Sequence, residues 1–384
     1  MDGTRIRGFD GLRALAFLLV FISHKVNFAH ADSFGDVGVW LFFALSGFLI
    51  TRILAQSRSE IEDGLSTVAG SLGSFYLRRT ARIFPPYYFL LASITLAAVF
   101  VPIDHFGALE RVAYYLYGTN ILIAARDQWI GDFGHFWTLA VEEQFYLAFA
   151  PLVLLVPRRH TLKVCLAMVL TGVLTKVALE AARAPAVAID VNSLANFALL
   201  GFGGVVGLKA DWSVAKRLTG GAAQAVVLGL YLALPTVFGT WPHLWPLLGK
   251  LSVILAGSLL LQIFQGQKTW FVAFLESAPL RSVGRISYGA YLIHKFIHFS
   301  IAENLLLSIG AGPAPRYVQV LCELVASLII ASLSWRYLER PIVAWAARMT
   351  SRAPLIASAP VNRTSNANSV KPNRTKLERR SRLP

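Results

Sequence analysis

The stretch "GFDGLRALAFLLVFISH", residues 8–24, opens the first hydrophobic segment of the chain. It carries an arginine near one end, Arg13, and a histidine eleven residues later, His24. At about 100° per residue the two side chains fall on one face of a helix, about 16 Å apart along its axis. Ionisable side chains are costly in lipid, so each one in such a segment requires a reason.

The composition indicates a membrane protein. Of 384 residues, 55% are hydrophobic and only 15% are charged, whereas soluble domains carry about 25% charged residues. Apolar runs of about 20 residues, long enough to cross a bilayer, recur along almost the whole chain. We therefore predict an all-α fold: one polytopic membrane domain over residues 1–346, followed by a disordered, basic cytoplasmic tail over 347–384.

The apolar runs predict ten membrane helices. They lie at about 10–29, 36–55, 83–102, 136–156, 162–181, 194–209, 220–238, 247–265, 283–305 and 317–339. The apolar segment 112–124 is short and is predicted to be interfacial or re-entrant. Lysine and arginine concentrate in alternate loops, which by the positive-inside rule places both termini in the cytoplasm. The expected location is the inner (cytoplasmic) membrane, as a multi-pass protein.

The net charge of +15 does not indicate nucleic-acid binding, because the basic residues are spread over alternate loops and the tail. The two cysteines, Cys165 and Cys322, lie in apolar segments, and the sequence has no ligand-spaced set of cysteine and histidine. Neither a disulfide nor a metal site is predicted.

Two interpretations of Arg13 and His24 remain open. Arg13 snorkels to the headgroups while His24 makes a hydrogen bond in the core, or both residues serve function. In the functional interpretation His24 is a general base in a cavity whose inner mouth is lined by Arg13.

A basic block, "FYLRRTARIFPPYY" at residues 75–88, stands at the predicted cytoplasmic start of the third helix. Arg78 and Arg82 share a helix face, with Arg79 beside them. These arginines either anchor the helix at the membrane surface or bind a phosphate or pyrophosphate, since guanidinium binds phosphate with two hydrogen bonds.

The fourth helix opens with "HFWTLAVEEQFYLAF", residues 135–149, and places Glu142 and Glu143 about two turns into the membrane. A carboxylate at that depth pairs with a cation or titrates with a function. Glu142 matches the estimated depth of His24, which predicts a His24–Glu142 pair able to deprotonate a hydroxyl. The alternative is a structural tie between the glutamate and an arginine or histidine.

The ninth helix, in "GRISYGAYLIHKFIHF" at 284–299, carries Tyr288, Tyr291 and His294 as a polar stripe. These residues either bond to neighbouring helices or line a site.

Two further helices carry small or charged residues. In "GVWLFFALSGFLI", residues 38–50, Ser46 and Gly47 suit close helix packing. In "WRYLERP", residues 335–341, Glu339 is expected to pair with its neighbours Arg336 and Arg340, with Pro341 ending the helix.

Six motifs in order resemble the acyltransferase-3 family of integral membrane acyltransferases, over about residues 5–345. They are the Arg13–His24 pair, "FFALSGFLI", "RRTARIFPPYY", "FWTLAVEEQFY", "SYGAYLIH" and the terminal "ERP". Thr138 departs from the family pattern, where serine is more familiar, but it keeps the hydroxyl. No appended hydrolase domain is predicted.

The resemblance implies transfer of an acyl group, usually acetyl, from cytoplasmic acyl-CoA to a hydroxyl of an extracytoplasmic or lipid-linked sugar acceptor. It implies that His24 is the catalytic histidine and Glu142 the essential carboxylate. Arg13 would lie near the donor, and the basic block would bind the phosphates of CoA. Residues with a supporting or acceptor-side role would be Ser46, Trp137, Glu143, Tyr288, Tyr291, His294 and Glu339.

The expected partners are acyl-CoA as co-substrate, a sugar or glycan acceptor and membrane lipids, with no bound cofactor and no nucleic acid. A transporter or flippase of a glycan or lipid-linked substrate is the alternative function, although no pair of broken helices appears in corresponding halves. A non-catalytic scaffold is a third class. Direct transfer and an acyl-histidine intermediate both remain open.

Overall fold

The computed structural model describes residues 6–26, 31–209, 270–299 and 313–350. These residues are helical apart from short connections, with no strand among them, which confirms the all-α prediction for this part of the chain. The predicted helices 220–238 and 247–265, and the tail from residue 351 onward, lie outside the described ranges.

The described α-helices are numbered here in chain order. They are α1 Phe9–Lys25, α2 Ala31–Glu62, α3 Val68–Ala97, α4 Ala108–Tyr115, α5 Thr119–Arg126, α6 Phe136–Leu155, α7 Thr161–Ala181, α8 Ala186–Asp190, α9 Ser193–Lys209, α10 Trp270–Leu275, α11 Ala278–Ile293, α12 Arg316–Ser334 and α13 Arg340–Thr350. Single 3₁₀ turns lie at Gly131–Phe133, Arg158–His160 and His294–Phe296, and a π-helical turn at Trp335–Glu339 joins α12 to α13.

Several helices are long and apolar enough to cross a membrane. Within the described ranges they are Phe34–Glu62, Gly131–Leu155, Arg158–Ala181, Ala186–Leu208 and Arg316–Thr350. The chain is therefore a membrane protein with several spanning helices, while the number ten and the orientation stay predictions. The short segment 112–124 is divided between α4 and α5, each only eight residues long.

The first helix lies between α2 and α11 at very close range. A side chain at Gly284 of α11 would collide with the backbone carbonyl of Asp10 in α1. Gly47 of α2 meets the carbonyl of Leu200 in α9 in the same way, which confirms the packing role predicted for Gly47. These glycines let backbones touch, as is typical of membrane helices.

The sixth helix is the centre of the core. Phe145 and Phe149 stack on one side of α6, Phe136 points to the opposite side, and all three are fully buried. By contrast, α7 exposes a run of large apolar side chains that includes Leu170 and Leu174. Such a surface is stable against lipid tails rather than water.

The third helix begins fifteen residues earlier than predicted, at Val68 instead of residue 83. Its N-cap is Thr67, whose Oγ1 accepts a hydrogen bond from the backbone N–H of Gly70 at 3.1 Å. The basic block is therefore in the middle of a helix and not at its start, so its side chains project between helices.

The helix predicted at 283–305 instead ends at Ile293 and passes into the 3₁₀ turn His294–Phe296. The apolar pattern continues past this point, so composition alone gives no stop signal. The end of α11 leaves backbone carbonyls without helical partners, and side chains from other elements bond to them.

The prediction that Pro341 ends the last helix is wrong. The chain continues through Pro341 to Thr350, because the wider π-helical turn just before it accommodates the missing N–H and the bulk of the ring. The predicted tail boundary at 347 accordingly falls inside α13.

Candidate active site

A cavity of about 50 Å³ lies between α1, α2, α6 and α11. It has room for a few water molecules or a chemical group of that size. Its walls combine ionisable and hydroxyl side chains with apolar ones. The lining residues are Arg13, Val39, Phe42, Phe43, Ser46, Thr138, Leu139, Glu142, Ser287, Tyr288 and Tyr291.

Glu142 is held in this cavity by two hydroxyl groups. Ser46 Oγ donates to Glu142 Oε1 at 2.7 Å, and Tyr146 donates its OH to Oε2 at 3.3 Å. The guanidinium groups of Arg13 and Arg79 lie within electrostatic range of the carboxylate. Ser46 was predicted to serve helix packing because it is small, and it also donates a hydrogen bond to Glu142.

Arg13 points into the cavity. Its Nε donates to Ser287 Oγ at 3.4 Å, and Ser287 in turn donates to the carbonyl of Gly284 at 2.9 Å. Arg13 thus lines a cavity, as the functional interpretation expects, but His24, which that interpretation places in the same cavity, is not among the lining residues.

His24 is exposed at the end of α1 and is not among the residues lining the cavity. Its Nδ1 lies 2.8 Å from Nε2 of His294, and the two rings are nearly parallel, with centroids 5.1 Å apart. The predicted hydrogen-bonded pair of His24 with Glu142 is therefore wrong as a contact. Equal depth in the membrane does not determine how each helix is rotated about its own axis. The partner of His24 is His294, which directly follows α11.

Tyr291 connects the cavity to His24, because its hydroxyl and its backbone carbonyl each make a hydrogen bond. Tyr291 OH bonds to Thr138 Oγ1 at 2.8 Å inside the cavity. The backbone carbonyl of Tyr291 accepts from His294 Nδ1 at 2.6 Å, and His294 bonds to His24. The polar stripe predicted on α11 thus lies between the cavity and His24. The hydroxyl of Thr138 makes a hydrogen bond within the cavity.

Arg82 contacts the π-helical turn and α11. It forms an ion pair of 3.2 Å with Glu339, which is fully buried, and donates to the carbonyl of Arg285 at 3.0 Å. Its guanidinium also lies over the ring of Trp335, 4.5 Å from the centroid. The expected pairing of Glu339 with its sequence neighbours is wrong, because Glu339 faces inward toward α3.

Arg78 and Arg79 differ in their surroundings. Arg78 donates to Oγ1 of Thr350 at 2.6 Å and to its carbonyl at 3.1 Å. Arg79 lies 5.9 Å from the ring centroids of Phe75 and Tyr146 and donates no hydrogen bond to any other described residue. Of the three arginines, Arg79 is the one without a hydrogen bond to another described residue, and it lies within electrostatic range of Glu142.

The remaining predicted residues lie around the cavity. Tyr288 lines it and donates its OH to the carbonyl of Ile83 at 3.0 Å. Trp137 packs edge-on against Phe43, 5.8 Å between centroids, just behind the cavity wall. Glu143 has one buried oxygen, Oε1, without a partner among the described residues.

Sequence reasoning missed His135. This fully enclosed side chain has Nδ1 2.8 Å from the carbonyl of Asp132 and Nε2 3.0 Å from that of Leu292. Its ring meets that of His294 with centroids 5.2 Å apart. The signal was present, since His135 opens the motif that carries the two glutamates.

Sequence reasoning also missed a buried ion pair beside His24. Lys25 Nζ lies 3.4 Å from Glu323 Oε2 and donates to the carbonyl of Ile297 at 2.5 Å. Both charged side chains are at most 6% exposed. The pair ties the end of α1 to α12.

Comparison with known proteins gives a family. The family model described as an acyltransferase domain, that of acyltransferase-3, matches residues 6–336. The peptidoglycan O-acetyltransferase OatA of Listeria monocytogenes is 28% identical over 364 residues, which cover 88% of this chain and 56% of that protein. The O-acetyltransferase OatA of Staphylococcus aureus is 28% identical, over 87% of this chain and 57% of its own.

The putative peptidoglycan O-acetyltransferase YrhL of Bacillus subtilis is 26% identical, over 91% of this chain and 57% of that protein. The chain thus spans a little over half the length of these relatives. No solved structure matches. The family model covers most of the chain, including the motifs that carry the cavity and the histidines, and the chain belongs to the acyltransferase-3 family.

Proposed function

We propose that the protein is an integral membrane O-acetyltransferase that moves an acetyl group from acyl-CoA to a hydroxyl of a glycan. The observation that carries the proposal is the connection, through His294 and Tyr291, between an exposed histidine, His24, and a cavity that holds Arg13 and Glu142. The names of two of the relatives specify O-acetylation of peptidoglycan, which supports a sugar acceptor.

His24 is the proposed base. In direct transfer its imidazole takes the proton of the acceptor hydroxyl while the hydroxyl oxygen bonds to the acyl carbonyl carbon. The carbon–sulfur bond of the thioester then breaks, and the thiolate of CoA takes that proton from His24. In the second route the imidazole itself bonds to the acyl carbon, the carbon–sulfur bond breaks and CoA leaves as the thiolate. The oxygen of the acceptor hydroxyl then bonds to the acyl carbon and displaces the imidazole, and the proton of the hydroxyl passes to the thiolate.

Acyl-CoA is proposed to enter from the cytoplasmic side, where the positive-inside rule places the basic block. The guanidinium of Arg79 makes no hydrogen bond within the described ranges and lies near Glu142, so it is the best placed of the three arginines to bind the donor. Arg78 and Arg82 have a structural role on the side where acyl-CoA is proposed to enter. Arg78 bonds to α13, and Arg82 pairs with the π-helical turn. Glu142 supplies the negative charge that attracts Arg13, which lines the cavity, and Arg79, which lies within electrostatic range.

The test is transfer of radiolabelled acetyl from acetyl-CoA to a soluble glycan by the full chain in membranes. His24→Ala should lower the rate by about 100-fold or more, the usual worth of a general base. His298→Ala is the matched control, because His298 is an exposed histidine of the same end that pairs with Asp132. Activity of His24→Ala near the wild-type rate would refute the base, and movement of glycan without covalent label would favour a transporter.

A further inference from the structure

The early end of α11 sets the hydrogen position on one buried histidine, His294. The last carbonyls of a helix have no partner within it. In α11, the carbonyl of Tyr291 faces His294 Nδ1 at 2.6 Å. A carbonyl oxygen only accepts hydrogen bonds, so the facing nitrogen must carry the hydrogen.

His294 is therefore protonated on Nδ1. It is fully buried, with the rings of Phe17 and Phe21 about it at 6.2 and 6.3 Å between centroids. A second proton would place an imidazolium among apolar groups, which is costly, so the ring is neutral and Nε2 carries a lone pair.

The tautomer of His24 follows from that lone pair. Nε2 of His294 lies 2.8 Å from Nδ1 of His24, and a hydrogen bond at this distance needs one hydrogen between the two nitrogens. His294 has none to give there, so His24 Nδ1 is the donor. The lone pair of His24 is then on Nε2, the nitrogen directed away from His294.

We infer that His294 is a positioning residue that holds His24 in the Nδ1–H tautomer and makes Nε2 the basic and nucleophilic atom. The catalytic consequence rests on the proposed function, whereas the tautomer stands on the geometry alone. The early end of α11 belongs to this arrangement, since a helix continuing to residue 305 would consume the carbonyl of Tyr291.

The backbone beside His24 is fixed as well. Lys25 is joined to Glu323 and to the carbonyl of Ile297, and Arg316 donates to the carbonyl of Lys25 at 2.6 Å. The imidazole rings of His24 and His294 are also nearly parallel, 19° between planes. The ring of His24 thus has a defined orientation as well as a defined hydrogen position.

The first test observes the tautomer directly. The full chain, with its eight histidines labelled with ¹⁵N, is studied by NMR in bilayers at about pH 8, where imidazole is ordinarily neutral. The His24 signals are assigned by their loss in His24→Asn. We expect hydrogen on Nδ1 and none on Nε2, changing to a mixture in His294→Leu. Hydrogen on Nε2 in the wild type, or no change in His294→Leu, would overturn the inference.

The second test compares two replacements of His294 in acetyl transfer. Gln places an amide oxygen near the position of Nε2 and can accept from His24, whereas Leu keeps apolar packing but accepts nothing. We expect His294→Leu to lower kcat by up to about 10⁴-fold, the loss that the wrong histidine tautomer causes in a serine-protease triad, with little change in KM. His294→Gln should recover most of kcat.

A purely structural role would give the opposite order, with Leu tolerated better than Gln in a buried apolar site, and would overturn the inference. The two tests separate the inference from the proposed function. A correct NMR tautomer together with an active His24→Ala variant would refute the base while leaving the positioning of His24 intact.

Discussion

Single residues in this protein owe their roles to one or two short polar contacts. Ser46 is an ordinary small residue of a membrane helix until it donates to Glu142 at 2.7 Å. Thr138, where the family more often has serine, keeps the hydroxyl that bonds to Tyr291 at 2.8 Å. At this scale residue type indicates what chemistry is available, and the partner decides whether it is used.

Adjacent arginines in the basic block should behave differently. Arg79→Ala should raise KM for acetyl-CoA by roughly tenfold, the loss of one charge-assisted hydrogen bond of about 1.5 kcal/mol, with little change in unfolding. Arg78→Ala is the matched control, because Arg78 donates to Thr350 of α13. Steady-state kinetics with acetyl-CoA would contradict the assignment if Arg78→Ala raised KM more than Arg79→Ala.

At the scale of elements, the helices are joined by charged pairs and by glycine contacts. Arg82 connects α3 to the π-helical turn through Glu339, and Lys25 connects α1 to α12 through Glu323. Both pairs join helices far apart in sequence. They hold neighbouring helices at the positions on which the cavity and the end of α1 depend.

Breaking the pair of Arg82 with Glu339 should cost stability before it affects binding. Arg82→Met leaves a fully buried carboxylate uncompensated, for which the expected loss is about 3–5 kcal/mol of unfolding free energy. Arg82→Met combined with Glu339→Leu should recover most of that loss, since no buried charge is left. Thermal unfolding in detergent measures both, and unchanged stability of Arg82→Met would show that the pair has no structural role.

For the whole molecule, the two ends of the bundle have different chemistry. At one end α1 finishes at His24 and Lys25, and Lys295 donates to the carbonyl of Gly131 at 2.9 Å. At the other, the backbone N–H of Arg158 bonds to Glu62 at the end of α2. The positive-inside rule assigns the first end to the outer side and the second to the cytoplasm.

That assignment predicts opposite labelling of two loops. With Cys165 and Cys322 replaced by serine, Asp127→Cys should react in intact cells with a maleimide that cannot cross the membrane. Arg159→Cys, the matched position in the loop at the other end, should react only after the membrane is opened. Labelling of Arg159→Cys in intact cells would reverse the orientation and with it the side from which each substrate is proposed to enter.

The sequence predicted well wherever a physical cost acts on local composition. Lipid excludes charge, so the apolar runs identify helices, and the exceptions within them identify Arg13, Glu142 and His294, which the structure brings to one site. Helix ends were predicted less well. The end of α11 at Ile293 and the passage of α13 through Pro341 depend on bonds to other elements and on a π-helical turn.

By itself the sequence determined that this is a helical membrane protein of the acyltransferase-3 family and which polar residues stand inside it. Only the tertiary structure decided their partners: His294 for His24, Ser46 for Glu142 and Glu339 for Arg82. The reason is that the partner of a side chain depends on how its helix is rotated about its own axis. A helix such as α6, buried by large side chains on several sides, carries no apolar stripe that would fix which face meets which neighbour.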